Sequence, residues 1–402
     1  MTTRIRTTHV GSLPRTDTLL KANADHAAGN LSDAELAAVV TEETNAVVAR
    51  QAEIGLDVVN DGEYGHAMTE KVDYGGWWFY SFERFSGLEL LHELPEHKPT
   101  PAGKLELDDM GDRRDWVAFA DAYSDPTSGI HLATQGAPVW PTVTGEIRYT
   151  GQEIVERDVK ALTAALDKAG KPVSDGFIAS ISPAAAARIG NQYYEDDEAA
   201  VWAWAEGLRE EYKAITDAGL TVQIDAPDLA ESWDQFKVAP SVEDYRRFSA
   251  VRIEALNHAL TGIDPDQVRY HICWGSWHGP HSTDLGLENI ADLALSVNAN
   301  GFTFEAANAR HEHEWRVWKE LVEDGGLADG KYLIPGVVSH ATNVLEHPEL
   351  VAERIERFTS IVGPERVVAS TDCGLGGRVH SHIAWAKLES LAEGARIASE
   401  RL

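Results

Sequence analysis

Along the chain, short apolar runs rich in β-branched residues alternate with longer stretches whose apolar positions recur every three to four residues. The first pattern is that of buried strands and the second that of amphipathic helices. Eight runs read as strands, each ending in polar or special residues: TTHVGS, LDVVNDGE, VSDGFIASIS, LTVQIDAPD, RYHICWG, GFTFEAAN, YLIPGVVS and RVVASTDCG. The helices between them carry their own start and stop signals. SDAELAAVVTEETNAVVARQAEIG opens with Ser32 and Glu35 at capping-box spacing and closes at Gly55. SVEDYRRFSAVRIEALNHALTG closes at Gly262, and HPELVAERIERFTSIVG at Gly363.

Eight strand–helix repeats predict an α/β fold: a (β/α)8 TIM barrel forming a single domain over residues 1–402, with its chemistry at the C-terminal ends of the strands. A doubly wound open sheet is the competing architecture. It is weakened because no Gly-rich phosphate loop follows the first strand. Residues 64–150, after the second strand, break the rhythm. They predict a long excursion with a small hairpin over the barrel mouth, whose aromatics in YGGWWFYSFERF either line a pocket or anchor the excursion.

Composition narrows the partners. A net charge of -30 opposes binding to nucleic acid or to an anionic membrane, both of which call for basic patches. No apolar stretch approaches the roughly 18 residues of a membrane span, and MTTRIRTTHVGSLPR lacks the apolar core of a secretory signal, so a cytoplasmic location is expected. Two cysteines do not make a disulfide framework; metal or catalytic use is the functional reading and buried thiols the plain one. Assembly into a homo-oligomer is compatible with the sequence.

Those two cysteines lie at predicted strand ends. In HIC, His271 and Cys273 share a face of the fifth strand, because residues two apart point the same way. Glu305 ends the sixth strand and Cys373 the eighth. Two thiolates, an imidazole and a carboxylate form a plausible tetrahedral Zn2+ set, with buried-core residues as the alternative. Three other strand ends carry polar groups. Ser12, after Gly11, offers a hydroxyl and backbone amides suited to a carboxylate; otherwise it is a turn residue. Glu63 and Asp225 would favour a substrate ammonium. Their plain alternatives are an ion pair of Glu63 with Lys71 and a helix cap by Asp225.

HVGSLPR, GLDVVNDGE, QIDAPDLA, HIC, FTFEAAN and STDCG occur in this order, and together they resemble the catalytic, C-terminal half of the cobalamin-independent methionine synthase family. The resemblance runs over nearly the whole chain and is weakest across 64–150. It implies a barrel that binds zinc through His271, Cys273, Glu305 and Cys373. It further implies homocysteine held by its carboxylate at Ser12 and its amine at Glu63 and Asp225, and methyl transfer onto the zinc-activated thiol. The chain departs from the family where Ala226 replaces a second acid and where FIASISPAAAARIG replaces an aromatic stretch. It also lacks the length for the family's second barrel. The alkyl donor is therefore open between methyl-folate, a methyl-corrinoid and an epoxide.

A relative in the superfamily, epoxyalkane:coenzyme M transferase, alkylates a thiol without an amine, which the Glu63/Asp225 pair disfavours. The resemblance places a general-acid histidine after the seventh strand. Here His340 fits at one position's offset, with Asp372 as the alternative acid or as a group orienting a ligand. His278 and His281, like His311 and His313, would line the mouth as recognition or solvated groups or form a second metal site, with Trp274 and Trp277 as pocket walls. A zinc- or amino-acid-binding barrel without chemistry is the non-enzymatic reading. It is disfavoured because a structural zinc is normally closed off from solvent.

Overall fold

The computed structural model describes residues 4–68, 76–93, 103–108, 113–130 and 140–402, the side chains of 76–79 excepted. Its centre is an eight-stranded parallel sheet. The strands are β1 (Arg6–Thr7), β2 (Val59–Asn60), β5 (Gly176–Ile181), β7 (Thr221–Ala226), β8 (Val268–Ile272), β9 (Gly301–Glu305), β10 (Tyr332–Val338) and β11 (Val368–Thr371). The spatial order is β1-β11-β10-β9-β8-β7-β5-β2. All eight predicted strands are present, and the fold is the expected TIM-barrel type.

The sheet curls until its ends meet. The amides of Asp57 and Val58 donate to the Thr7 carbonyl at 3.1 and 3.0 Å, while the Thr8 amide donates to Ala369 across the other seam. The strands at this join are only two residues long, and side chains take over their pairing. Asp57 Oδ2 accepts from the Thr7 amide at 2.9 Å. Gln51 both accepts from the Asn60 amide and donates to its carbonyl. Buried backbone groups are thus satisfied without a longer ladder.

Helices follow each strand as the periodicity predicts. The helix Asp33–Ile54 has the Ser32/Glu35 capping box and ends at Gly55 in the left-handed region. The helix Pro348–Val362 stops at Gly363. Their apolar faces and the strands form one core that includes Trp204, Tyr212, Phe302 and Leu388. No described helix is long and apolar enough to cross a membrane.

The excursion contributes a second sheet. β3 (Phe85–Leu91) pairs antiparallel with β4 (Trp140–Tyr149), and β4 pairs parallel with β6 (Gly190–Asn191). This sheet packs against the helix Asp197–Asp217: the Phe85 ring meets Trp204 edge-on at 4.7 Å, and Tyr149 donates to Glu211 at 2.8 Å. Tyr80 bonds Ser180 of β5 at 2.9 Å. Tyr80 and Phe85 therefore anchor the excursion, whereas Lys71, Trp77 and Trp78 have side chains outside the described residues.

A different part, residues 113–124, reaches the loop after β8. Asp115 accepts from the amide and hydroxyl of Ser282 at 2.8 and 2.7 Å, and Tyr123 joins Asp115 to Trp277.

β10 and β11 approach closely where their register shifts beside Gly336. A methyl group on Gly336 would lie 2.6 Å from the Asp372 backbone nitrogen, and backbone cannot rotate away. Gly336→Ala is expected to destabilise the fold by about 3 kcal/mol through this overpacking. A denaturant titration checks this, and an unchanged midpoint would refute the close approach.

Candidate active site

The barrel's alternation delivers one cluster of donors to the C-terminal strand ends. Ligand atoms of His271 (β8), Cys273 just beyond β8, and Cys373 just beyond β11 all lie within 4.8 Å of one another. The two sulfurs are 4.0 Å apart and both thiols are free. That is far beyond a disulfide bond of about 2.05 Å. It is close to the roughly 3.8 Å separating two sulfurs that share one tetrahedral ion at about 2.3 Å.

His271 strengthens the fit. Its ring is buried and neither nitrogen makes a hydrogen bond of ordinary geometry. Burial, and next the Arg269 guanidinium, hold its pKa down to about 3, with only a weak opposing interaction from the Thr303 backbone. A neutral imidazole with an unused lone pair is what a metal ligand requires. The Cys273 thiol is pushed well above its usual range by its hydrogen bond with Cys373, by burial, and by the charges of Cys373 and Glu305. A cation there would relieve that unfavourable accumulation. The donor set fits a thiophilic divalent metal such as zinc.

Glu305 sits beside this trio. Its Oε1 accepts from the Trp274 amide at 3.3 Å, next to Cys273, and its Oε2 accepts from Asn308 at 2.7 Å. It also forms a second group with His340 and Asp372, whose ligand atoms lie within 4.8 Å of its own and of one another. Asp372 Oδ1 accepts from the amides of Ala306 and Ala307 at 2.8 and 2.9 Å, fixing the backbone immediately after Glu305. His340 is buried, and both its ring nitrogens lack a hydrogen-bond partner. Burial, then the charge of Arg378 and of three histidines, keeps it far below the usual histidine range, so it stands as neutral imidazole.

The second half of the site abuts the first. The Ser12 carbonyl accepts from Leu375 and Gly376 at 2.9 Å each, stitching it to the loop that carries Cys373. Ser12 Oγ accepts from Arg15 at 2.6 Å, and the same guanidinium donates to the Glu63 carbonyl at 2.6 Å. Glu63 itself has a positive φ of 59°, uncommon for a residue with a Cβ. Gly11, at φ 138°, leaves no room for a side chain between the backbone and the Glu63 carboxylate.

Asp225 lies opposite His271 in the β7–β8 register and accepts from Gln223 at 2.7 Å. The helix that follows, Pro227–Ala230, has no side-chain cap, so Asp225 is not its N-cap. Burial, opposed by Arg15 and reinforced by Asp61, pushes Glu63 up to about 7. Burial and the Glu63 charge raise Asp225 well above the usual carboxylate range. Two buried carboxylates held above their usual range are groups whose ionised forms an arriving cation would favour.

Two of the four mouth histidines are fixed by buried acids. His281 and His311 share Asp284 at 3.0 Å each, and His311 also bonds Glu314. They stack on Trp277 and Trp274 with ring centroids 4.2 and 4.1 Å apart. His278 bonds the His340 carbonyl, and His313 is exposed. Among the described residues, neither candidate ligand group contains any of these four.

The family described as cobalamin-independent synthase, catalytic domain, matches residues 5–77 and 133–396. The chain belongs to the cobalamin-independent synthase family. A methionine synthase of Thermococcus kodakarensis is 23% identical over 400 residues, covering 98% of this chain and 94% of the relative. A 2-hydroxypropyl-CoM lyase of Xanthobacter autotrophicus is 27% identical over 283 residues, covering 65% and 69%. Among solved structures, a B12-independent methionine synthase from Shewanella sp. W3-18-1 in complex with selenomethionine superposes with a TM-score of 0.69 at 20% identity, covering 99% and 98% of the two chains. The likeness to that structure concerns the fold.

Against the cobalamin-independent synthase pattern, the sequence motifs mark the donors but not the residues that hold them. Arg15 lies inside HVGSLPR, Asn308 inside FTFEAAN, and Gln223 two positions before Asp225 on the same strand face, yet nothing in those motifs sets them apart as the holding residues.

Proposed function

We propose that this protein is a zinc-dependent thiol alkyltransferase that moves a methyl group onto homocysteine, in the manner of the methionine synthases it is similar to. The observation that carries this reading is the adjacency of two sites of opposite demand. One is a cluster of two thiols and an imidazole that fits a soft cation; the other is a twin-carboxylate pocket that fits an ammonium. An amino-acid thiol satisfies both at once.

His271, Cys273 and Cys373 would hold the metal, with Glu305 at its side. A zinc ion there supplies the Lewis acidity that lets a thiol shed its proton near neutral pH while its sulfur stays nucleophilic. The chain's own groups do the rest. Glu63 and Asp225 bind the substrate ammonium, and Ser12 with its neighbouring amides takes the carboxylate, so the sulfur is presented in one orientation. Asp372 fixes the backbone behind Glu305 through Ala306 and Ala307. His340, neutral and without a hydrogen-bond partner of its own, would donate its ring N–H to the departing nitrogen of a methyl-folate, or to the ring oxygen of an epoxide if an opened epoxide rather than a methyl group were transferred; a methyl-corrinoid donor would need no such proton.

A second reading, alkylation of coenzyme M, draws on the 27% identity to the Xanthobacter lyase. The Glu63/Asp225 pair opposes it, because a sulfonate thiol brings no amine and its anionic head would meet two carboxylates.

Zinc-edge X-ray absorption separates the two. Homocysteine is expected to add one sulfur to the metal's first shell and coenzyme M none. Sulfur entry with coenzyme M alone would favour the second reading, and no change with either thiol would refute alkyl transfer.

A further inference from the structure

Beneath the strand-end donors lies a second layer of inward-facing polar side chains, each two residues earlier on its strand: Gln223 before Asp225, Arg269 before His271, and Thr371 before Cys373. Arg269 is the unusual member. It is 2% exposed, yet among the described residues it forms no ion pair. Its guanidinium instead lies over the Phe177 ring, 3.5 Å from the centroid. It donates to Gln223 Oε1 at 2.7 Å, to Thr8 Oγ1 at 3.1 Å and to the His9 carbonyl at 2.5 Å. Burying a cation among neutral acceptors is costly unless it serves the charges nearby. The carboxylate it interacts with is Asp225 of the site one layer above.

The hydrogen bonds show what Arg269 organises. A guanidinium can only donate, so the oxygen of the Gln223 amide must face it. The Gln223 nitrogen therefore points the other way, toward Asp225 Oδ1 at 2.7 Å and toward the Val10 carbonyl. Val10 in turn donates to Thr371 Oγ1 at 3.3 Å, and that hydroxyl bonds the Cys373 carbonyl at 2.9 Å. The contacts to Thr8 and His9 tie down the same segment just before Gly11 and Ser12. One buried side chain thus sets the direction of Asp225 and the seat of the Ser12 strand end. At the same time it places a positive charge below carboxylates that crowd each other.

We infer that Arg269 is a positioning residue for amine recognition, acting on Asp225 through the orientation of the Gln223 amide. This rests on the proposed use of an amino-acid thiol, and it goes beyond that reading by naming the group that makes the acidic pair selective.

The test uses full-length protein loaded with Co2+, whose thiolate absorption reports thiol binding. Homocysteine is compared with 4-mercaptobutanoate, the same thiol acid without the amine. Arg269→Met is expected to keep its metal and to bind homocysteine about tenfold more weakly, while 4-mercaptobutanoate binding stays within about twofold. Arg269→Lys, which keeps the charge but not the fork, is expected to recover part of the preference. Gln223→Leu breaks the same chain while leaving the guanidinium in place with its bonds to Thr8 and His9, and is expected to reproduce the loss, so the test survives if Arg269→Met does not fold. Unchanged preference in Gln223→Leu, or equal weakening of both thiols, would overturn the inference. If the unsubstituted protein itself fails to prefer homocysteine, the proposed substrate falls instead, and the two failures are distinct.

Discussion

Cys373→Ser is expected to reduce bound zinc from about one equivalent per chain to under about a tenth after dialysis, with the fold retained. Removing a group that merely orients a metal ligand typically costs about 10–100-fold in affinity, and losing a thiolate ligand itself should exceed that. Serine does not ionise near neutral pH, so it would offer a weak neutral oxygen where the site presents a sulfur 4.0 Å from Cys273. The change should stay local. The carbonyl of residue 373 is held by Thr371, and the loop beyond it by Ser12, through contacts that do not involve the sulfur. Metal analysis beside circular dichroism reads both points. Full zinc retention in a folded variant would remove Cys373 from the ligand set, and the proposed chemistry with it.

How much of this was legible beforehand follows from what periodicity can carry. Strands buried on both faces have continuous apolar runs, so all eight barrel strands were visible, and the capping box at Ser32 with Gly55 marked one helix nearly to the residue. The two-residue alternation also placed His271 and Cys273 on one side. It could not say how far each side chain reaches across the barrel. Glu305 groups with His340 and Asp372 and is held by the Trp274 amide and Asn308, contacts that have no sequence period.

The shrinking of β1 and β2 to two residues each was equally hidden, because Asp57 and Gln51 replace ladder bonds with side-chain bonds. The excursion is a further case. Its β3–β4 sheet settles against the helix Asp197–Asp217, while a separate segment near Asp115 meets the mouth loop. Contacts between distant parts of a chain leave no local pattern. The polar layer under the site could have been found by stepping back two positions from each strand-end donor.

The strongest consequence of the acidic pair concerns selectivity. The double variant Glu63→Gln, Asp225→Asn is expected to bind homocysteine about a hundredfold more weakly while binding 4-mercaptobutanoate at least as well as the unsubstituted protein. A hydrogen bond from an ammonium to a buried charged partner contributes about 1.5–3 kcal/mol, and here two such partners are lost together. The thiol without an amine loses nothing and no longer faces two carboxylates.

The pH dependence follows from the same pair. Burial raises Glu63 to about 7 in the free protein, and an arriving ammonium favours the ionised form. Homocysteine affinity should therefore fall as pH drops below about 7, by up to about tenfold per unit for one proton taken up. Protonation of the metal-binding thiols affects both ligands alike, so the ratio of their affinities isolates the carboxylates. In the double variant that ratio should be flat with pH across this range. A ratio that still collapses below pH 7 in the variant would place amine recognition on other residues.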